Sequence, residues 1–381
     1  MGVGKEDKNN VSLKQLRPLR LILIAIIPIQ FIVYGWLANY PEFVDRWYSN
    51  GLFLALSKAL VAYTKWTTFP FGQFALVFFS ISILLLLIHE IRVLIHFPNS
   101  KRKTLLNIAL NGFSVFSIFY LLLNFLWALN YRRIPLAQKL DLGKIDMSQV
   151  DLIPIAKDLI GKSNSYRKEI GVDLETLPMT NRQILDEAID GYVQLNREFP
   201  IFPIRPVSVK EVLLPDLMTW YGISGIYFPF SGEAFVNTGR PNYLTPATAS
   251  HELAHQLGIG SESEANFLAF LTCSMHPNIS FKYSGNLMAM RYVMRAISRT
   301  DTAAYNLLVD EIDEIVLEDL RRNREYHNQF HNPLEPLTEL IYDQFLKANK
   351  QQAGIASYGQ MVDLLVAYYE SSSQDSTRIS E

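Results

Sequence analysis

Residues 251–255 read His-Glu-Leu-Ala-His. On a helix, side chains four apart share a face, so His251 and His255 can each place an imidazole nitrogen about 2.0–2.1 Å from one zinc ion. Glu252 is turned about 100° from His251, where it reaches a zinc-bound water and not the metal. Two histidine ligands, a third ligand from elsewhere, an open position for water and a glutamate as general base are the parts of a zinc hydrolase. In that chemistry the ion brings the pKa of its water toward about 7, and Glu252 takes the proton as the hydroxide attacks a carbonyl. Alone, the five residues also fit a surface helix with two solvated histidines.

The elements around the motif narrow the reading. Thr245 as N-cap and Pro246 at the first helical position start a helix, and Gly258 and Gly260 stop it. Ser261 then opens a second helix, SESEANFLAFL. Two glutamates there compete as third ligand. Ser261 and Glu264 fit a capping box, which gives Glu264 a structural role and leaves Glu262 as the better ligand, with Glu264 as the alternative. Asn266, four residues after Glu262, shares its face and could accept the second nitrogen of a ligating histidine. Leu268, four after Glu264, offers nothing of the kind.

His251-Glu252-x-x-His255 followed by Glu262-x-Glu264-Ala265-Asn266 is similar to the gluzincin metallopeptidases. More closely, the combination of GISGIYFPFSGEAFVN, ASHELAHQLGIGSESEANFLAFL and GIASYGQMVDLLVAYY resembles the bacterial membrane family called domain of unknown function 3810, over nearly the whole chain. The resemblance implies a zinc-metallopeptidase-like domain holding one Zn2+, with His251, His255 and Glu262 as ligands and Glu252 as base. It implies no substrate. Gluzincins usually place a longer insert between second and third ligand than the six residues separating His255 from Glu262. The glycine at 258 fits a metzincin turn instead, but the third metzincin histidine would fall on Ser261.

A peptidase also needs a strand to pair with its substrate and a group to stabilise the oxyanion. The run Gly232, Glu233, Ala234, Phe235, Val236 and Asn237 precedes the motif and is expected either as that edge strand or as an inner strand of the sheet. Tyr292, with Arg291 beside it, and Tyr326 or His327 are the oxyanion candidates. His327 and His331, also four apart, lack a glutamate and read as solvated.

The rest of the chain divides by composition. It has 381 residues, 49% hydrophobic, with 35 Lys+Arg against 37 Asp+Glu. That balance argues against a nucleic-acid partner, which would require a basic face. Cys273, the single cysteine, excludes an internal disulfide and a cysteine zinc cluster, so any metal must be held by histidine and carboxylate. Residues 66–88 and 104–131 carry no charge, and 21–40 is a third such run. Each is long enough for a bilayer core of about 30 Å. Three transmembrane helices are therefore expected at about 21–40, 66–88 and 104–131, with Trp127 and Tyr131 in an interfacial aromatic belt. Residues 47–65, amphipathic around Lys58, read as an interfacial helix, and His89 and His96 as interfacial side chains.

Lysine and arginine number nine in the segments 1–20 and 89–103 against six in 41–65 and 132–139. This favours a cytoplasmic N-terminal tail (1–20) and an extracytoplasmic domain at 132–370, although Arg132 and Arg133 oppose it. Amphipathic helices are expected at 148–169 and 180–197, two or three strands between 205 and 238, and helices at 246–258, 262–276, 284–298, 302–322, 334–349 and 358–370, before a disordered tail at 371–381. The whole is an α+β arrangement: transmembrane helices followed by a helix-rich, zincin-like metallopeptidase domain with a small sheet. The leading function is a zinc-dependent peptidase of a bacterial cell membrane, acting on a peptide or protein substrate with the lipid bilayer as its other partner. The alternatives are a catalytically silent zinc- or peptide-binding protein and a zinc amidase of cell-wall peptides.

Overall fold

The computed structural model describes residues 8–96, 101–143, 146–147, 150–171, 176–203, 205–333, 335–348 and 358–379. Helices Lys8–Leu37, Phe71–His96 and Lys101–Leu126 contain stretches long and apolar enough to cross a membrane. At most 11% of each stretch is buried, and side chains such as Phe78 and Leu86 are more than 60% exposed. That exposure suits helices solvated by lipid, in which every backbone polar group is satisfied within the helix. Gln30 joins the first helix to the third by donating to the Ser117 carbonyl and hydroxyl at 3.2 and 3.1 Å.

The boundaries depart from the uncharged runs. The second helix begins at Phe71 because Pro70 blocks helix before it, and the Thr67 hydroxyl accepts the Phe69 amide in a turn. The third ends at Leu126, and a 3-10 turn, Ala128–Arg132, follows. Trp127 is consequently 6% exposed inside the protein, between Phe53, Tyr131 and Tyr227, and not in an interfacial belt.

Residues 44–64 form a π-helical turn (Val44–Leu52) running into a helix (Phe53–Thr64), with no fourth span. Tyr48, Phe53, Ser57, Val61 and Thr64 recur at helical spacing and are buried. Their face is turned toward the later part of the chain. A Cβ on Gly232 would lie 2.8 Å from Leu60 Cβ, and one on Gly258 would lie 2.9 Å from Phe53 Cε1. Arg133 and Lys139 pair with Asp45 of the π-helical turn at 2.9 and 2.7 Å. One hydrophobic core contains Val44, Phe53 and Trp127 together with Leu253 and Phe267, so packing is unbroken across the expected boundary at 131/132.

Three strands form the sheet: β1 (Val209–Glu211), β2 (Gly225–Phe228) and β3 (Glu233–Val236). β3 lies between the others, parallel to β1 with Ala234 opposite Val209, and antiparallel to β2 with Phe235 opposite Ile226. This corrects the edge-strand expectation for Gly232–Asn237. All four β3 residues are buried and both its edges are paired, which leaves β2 as an outer strand. The long aromatic run before β2 is not all strand, since Pro215 starts a short helix, Pro215–Trp220. A buried ion pair ties the sheet to the second apolar helix: Lys210 meets Glu233 at 2.6 Å, and Glu233 accepts the Gly72 amide at 2.7 Å.

Helices Ile153–Ile170, Asn181–Glu198 and Ile279–Thr300 enclose the centre of the later region. The helix expected over 302–322 is two, Thr302–Val309 and Glu314–Asn328, because the turn between them is held by Asn164 accepting the Asp313 amide. The last helix, Tyr358–Ile379, runs through most of the expected disordered tail. Residues 371–379 contain no glycine or proline to stop it, while 380–381 lie outside the described residues, as do 354–357. Arg167 meets Asp319 at 2.7 Å with both side chains at most 3% exposed, and Tyr283 also donates to Asp319. Asp319→Ala would strand the Arg167 charge, with an expected loss of about 3–5 kcal/mol in denaturant unfolding of the full chain. A loss below about 1 kcal/mol would show that this pair is not needed.

Candidate metal centre

The motif helix spans Thr245–Gln256. Thr245 is inside it, not its cap: Leu244 occupies the cap position, and Pro246 remains in the first turn. Gly258, at φ +93°, ends it. The Gly258 amide donates to the His255 carbonyl and the Ile259 amide to the Ala254 carbonyl, a Schellman pair that folds the chain back sharply. Ser261 caps the next helix, Glu262–Met275, by accepting the Glu264 amide. This turn is what brings Glu262 against the histidines.

Glu262 Oε2 lies 3.2 Å from His251 Nε2, and Oε1 lies 3.4 Å from His255 Nε2. Two atoms each about 2.1 Å from a tetrahedral ion stand about 3.4 Å apart. The three residues thus present one ligand atom apiece, all within 4.8 Å of one another. Burial works to lower the His255 pKa, but the Glu262 carboxylate outweighs it and raises the imidazole to about 9. Burial works to raise Glu262, and the two imidazoles instead hold it below the ordinary carboxylate range. His255 Nδ1 faces the Ile259 carbonyl at 2.7 Å, which fixes the ring and turns Nε2 toward the cluster, where loss of its proton would free it to ligate a metal.

Glu252 is 3% exposed, and its Oε2 has no hydrogen-bond partner. Burial pushes its pKa up to about 7 against the pull of His251 and His255. The start of β2 passes directly over it: a Cβ on Gly225 would fall 2.4 Å from Glu252 Oε1, so glycine is required there. His251 Nδ1 and Asn266 Nδ2 are likewise buried without partners. Asn266 shares the expected face but makes no bond to either histidine, so the carbonyl of Ile259 fills that role for His255. The unpaired Glu252 oxygen and the ligand spacing fit a bound metal ion with a water on it.

Glu264 points away from the cluster. Its Oε1 accepts the Leu136 amide at 2.7 Å, so the expected capping box is incomplete and Glu264 instead anchors the segment after the third apolar helix. Glu262→Ala is expected to abolish metal uptake, while Glu264→Gln keeps one ion per chain by elemental analysis. The reverse pattern would transfer the ligand role to Glu264.

The oxyanion candidates have partners of their own. Tyr326 shares a hydrogen bond with the Thr219 hydroxyl at 2.9 Å, and His327 Nε2 is 3.4 Å from Arg240. Arg291 is another neighbour of Arg240. His327 and His331 are exposed and do not share a helix, since that helix ends at Asn328. The aromatic residues that do reach the site come from the turn after the third apolar helix. Trp127 stands edge-on to His255 at 5.8 Å, and a Cβ on Gly260 would lie 2.9 Å from the Tyr131 ring. Burial, and then the nearby Glu262 carboxylate, raise the Tyr131 phenol. No local signal marks Tyr131 in the sequence, because it precedes the motif by a long stretch of chain.

The molecule is a helix-rich α+β protein with three long apolar helices and a buried His-His-Glu cluster beside a second carboxyl group, Glu252. It belongs to the family described as Protein of unknown function (DUF3810), whose model matches residues 48–366. No curated protein and no solved structure matches the chain.

Proposed function

We propose that this protein is a membrane-anchored zinc metallopeptidase of gluzincin type. The observation that carries this reading is the Glu262 carboxylate set between two Nε2 atoms at ligand spacing, with the unpaired Glu252 carboxyl alongside. His251, His255 and Glu262 would hold the ion, which when bound supplies Lewis acidity and a water of lowered pKa. Three protein ligands leave a fourth position open, as in catalytic and not structural zinc sites.

Glu252 takes the proton from the attacking water and returns it to the leaving amine; burial has already raised its pKa toward neutrality, which suits both transfers. Tyr131, whose phenol is near enough to the Glu262 carboxylate to be raised by it, would be the donor to the developing oxyanion. β2 replaces the run 232–237 as the pairing strand, because among the described residues one of its edges is unpaired and its first residue lies on Glu252. An extended peptide added to that edge passes the site.

The charge bias of the short loops supports an N-terminus in the cytoplasm and a site outside it, in a bacterial cell membrane. The opposing charge of Arg133 is neutralised by Asp45. A second reading, metal bound for stability alone, is favoured by the near-closure of the site, whose three ligands have side chains only 9–14% exposed. An amidase acting on cell-wall peptides would require the same groups. Incubating the zinc-loaded full chain in detergent with a proteome-derived peptide library and with peptidoglycan fragments separates them. New peptide termini support the peptidase, stem-peptide release supports the amidase, and neither product supports the structural metal.

A further inference from the structure

The three apolar helices also line, at the end remote from the metal centre, an open cavity of about 220 Å³. Its polar lining is Arg20 from the first helix, His89 and Glu90 from the second, and Thr104, Asn107 and Asn111 from the third. Among the described residues, none of these six side chains forms a hydrogen bond or ion pair with another. Arg20 and Glu90 therefore face one cavity without touching. Charges of both signs facing one cavity without pairing leave it able to receive a ligand that carries both.

The depth is that of lipid headgroups. Arg20 is near the start of the apolar stretch Pro18–Leu37, Thr104 begins the stretch Thr104–Leu126, and Glu90 lies shortly before the end of Phe71–His96. Asn111 extends the polar surface about 10 Å further along its helix. His89 and Asn111 are exposed, which opens the cavity on the flank of the bundle.

The lining selects its ligand by charge. A metal cation would be opposed by Arg20, and a simple anion by Glu90. A molecule carrying a phosphate and a primary ammonium satisfies both: the guanidinium holds the phosphate, and Glu90 with the amide oxygens of Asn107 and Asn111 accepts from the ammonium. A quaternary ammonium has no hydrogen to donate, and the lining has no aromatic cage for it. We propose that this cavity binds the headgroup of an ethanolamine phospholipid, at the opposite end of the apolar helices from the metal centre. The inference rests on the reading that these helices span a bilayer.

The test uses the full chain in detergent, titrated with phosphatidylethanolamine, phosphatidylcholine and phosphatidylglycerol of identical acyl chains and followed by native mass spectrometry. Wild type is expected to prefer the ethanolamine lipid by about tenfold, the scale of one charge-assisted hydrogen bond. Glu90→Gln, close in shape, should erase the preference over phosphatidylglycerol while phosphatidylglycerol itself still binds. Arg20→Gln should weaken all three. Equal binding of the three lipids by wild type, or an unchanged preference in Glu90→Gln, would overturn the proposal. Carbonate extraction of membranes separates the two readings. Release of the chain removes the bilayer reading and the lipid site with it, whereas retention without lipid preference removes the lipid site alone.

Discussion

Replacing Glu252 by glutamine is expected to cut peptide hydrolysis by about 10²–10⁴-fold, the usual contribution of a general base, while leaving one metal ion per chain. Glutamine keeps the shape, so it fits beneath Gly225, where even a methyl group on the strand would collide with the carboxylate. Stability should hold or rise, because the wild-type side chain is buried with an unpaired oxygen and a pKa lifted to about 7. Turnover, elemental analysis and thermal unfolding of the same preparation check all three. A variant as active as wild type would remove Glu252 from the chemistry.

A chain beginning at residue 132 is expected to fail to fold, although the composition invites cutting there. Arg133 and Lys139 would lose Asp45, the partner they share. Phe53 and Trp127 would leave the core as well, taking with them the ring that stands against His255. A domain stable by about 5–15 kcal/mol does not survive losses of that kind together. The measurement is thermal unfolding by near-ultraviolet circular dichroism, where residues 132–381 alone should show no cooperative transition. A melt matching that of the full chain would show that the apolar part is only an anchor.

The His-His-Glu cluster was legible because it is local. Helix pitch alone puts His251 and His255 on one face, and a glycine turn followed by a serine cap places Glu262 within one short loop of them. The α+β class and the apolar helices were legible for the same reason, since periodicity and uncharged length are properties of neighbouring residues. What failed depended on distant partners. Nothing within 232–237 says that β1 will pair with its other edge, and nothing near Glu264 announces the Leu136 amide. Trp127 and Tyr131 read as belt residues because aromatics at the end of an apolar run look alike whether they meet lipid or a histidine. Asn266 sits on the face that helical spacing gives it, yet the turn carbonyl of Ile259 is nearer to His255.

Zinc-edge X-ray absorption of the full chain loaded with one equivalent of zinc reads the centre itself. The expected shell is four-coordinate, with two imidazole nitrogens and two oxygens, the nitrogens at about 2.0–2.1 Å, and the imidazole scattering halved in His251→Ala. A six-coordinate shell of oxygens without imidazole scattering, or a spectrum unchanged in His251→Ala, would contradict a metal held by His251, His255 and Glu262.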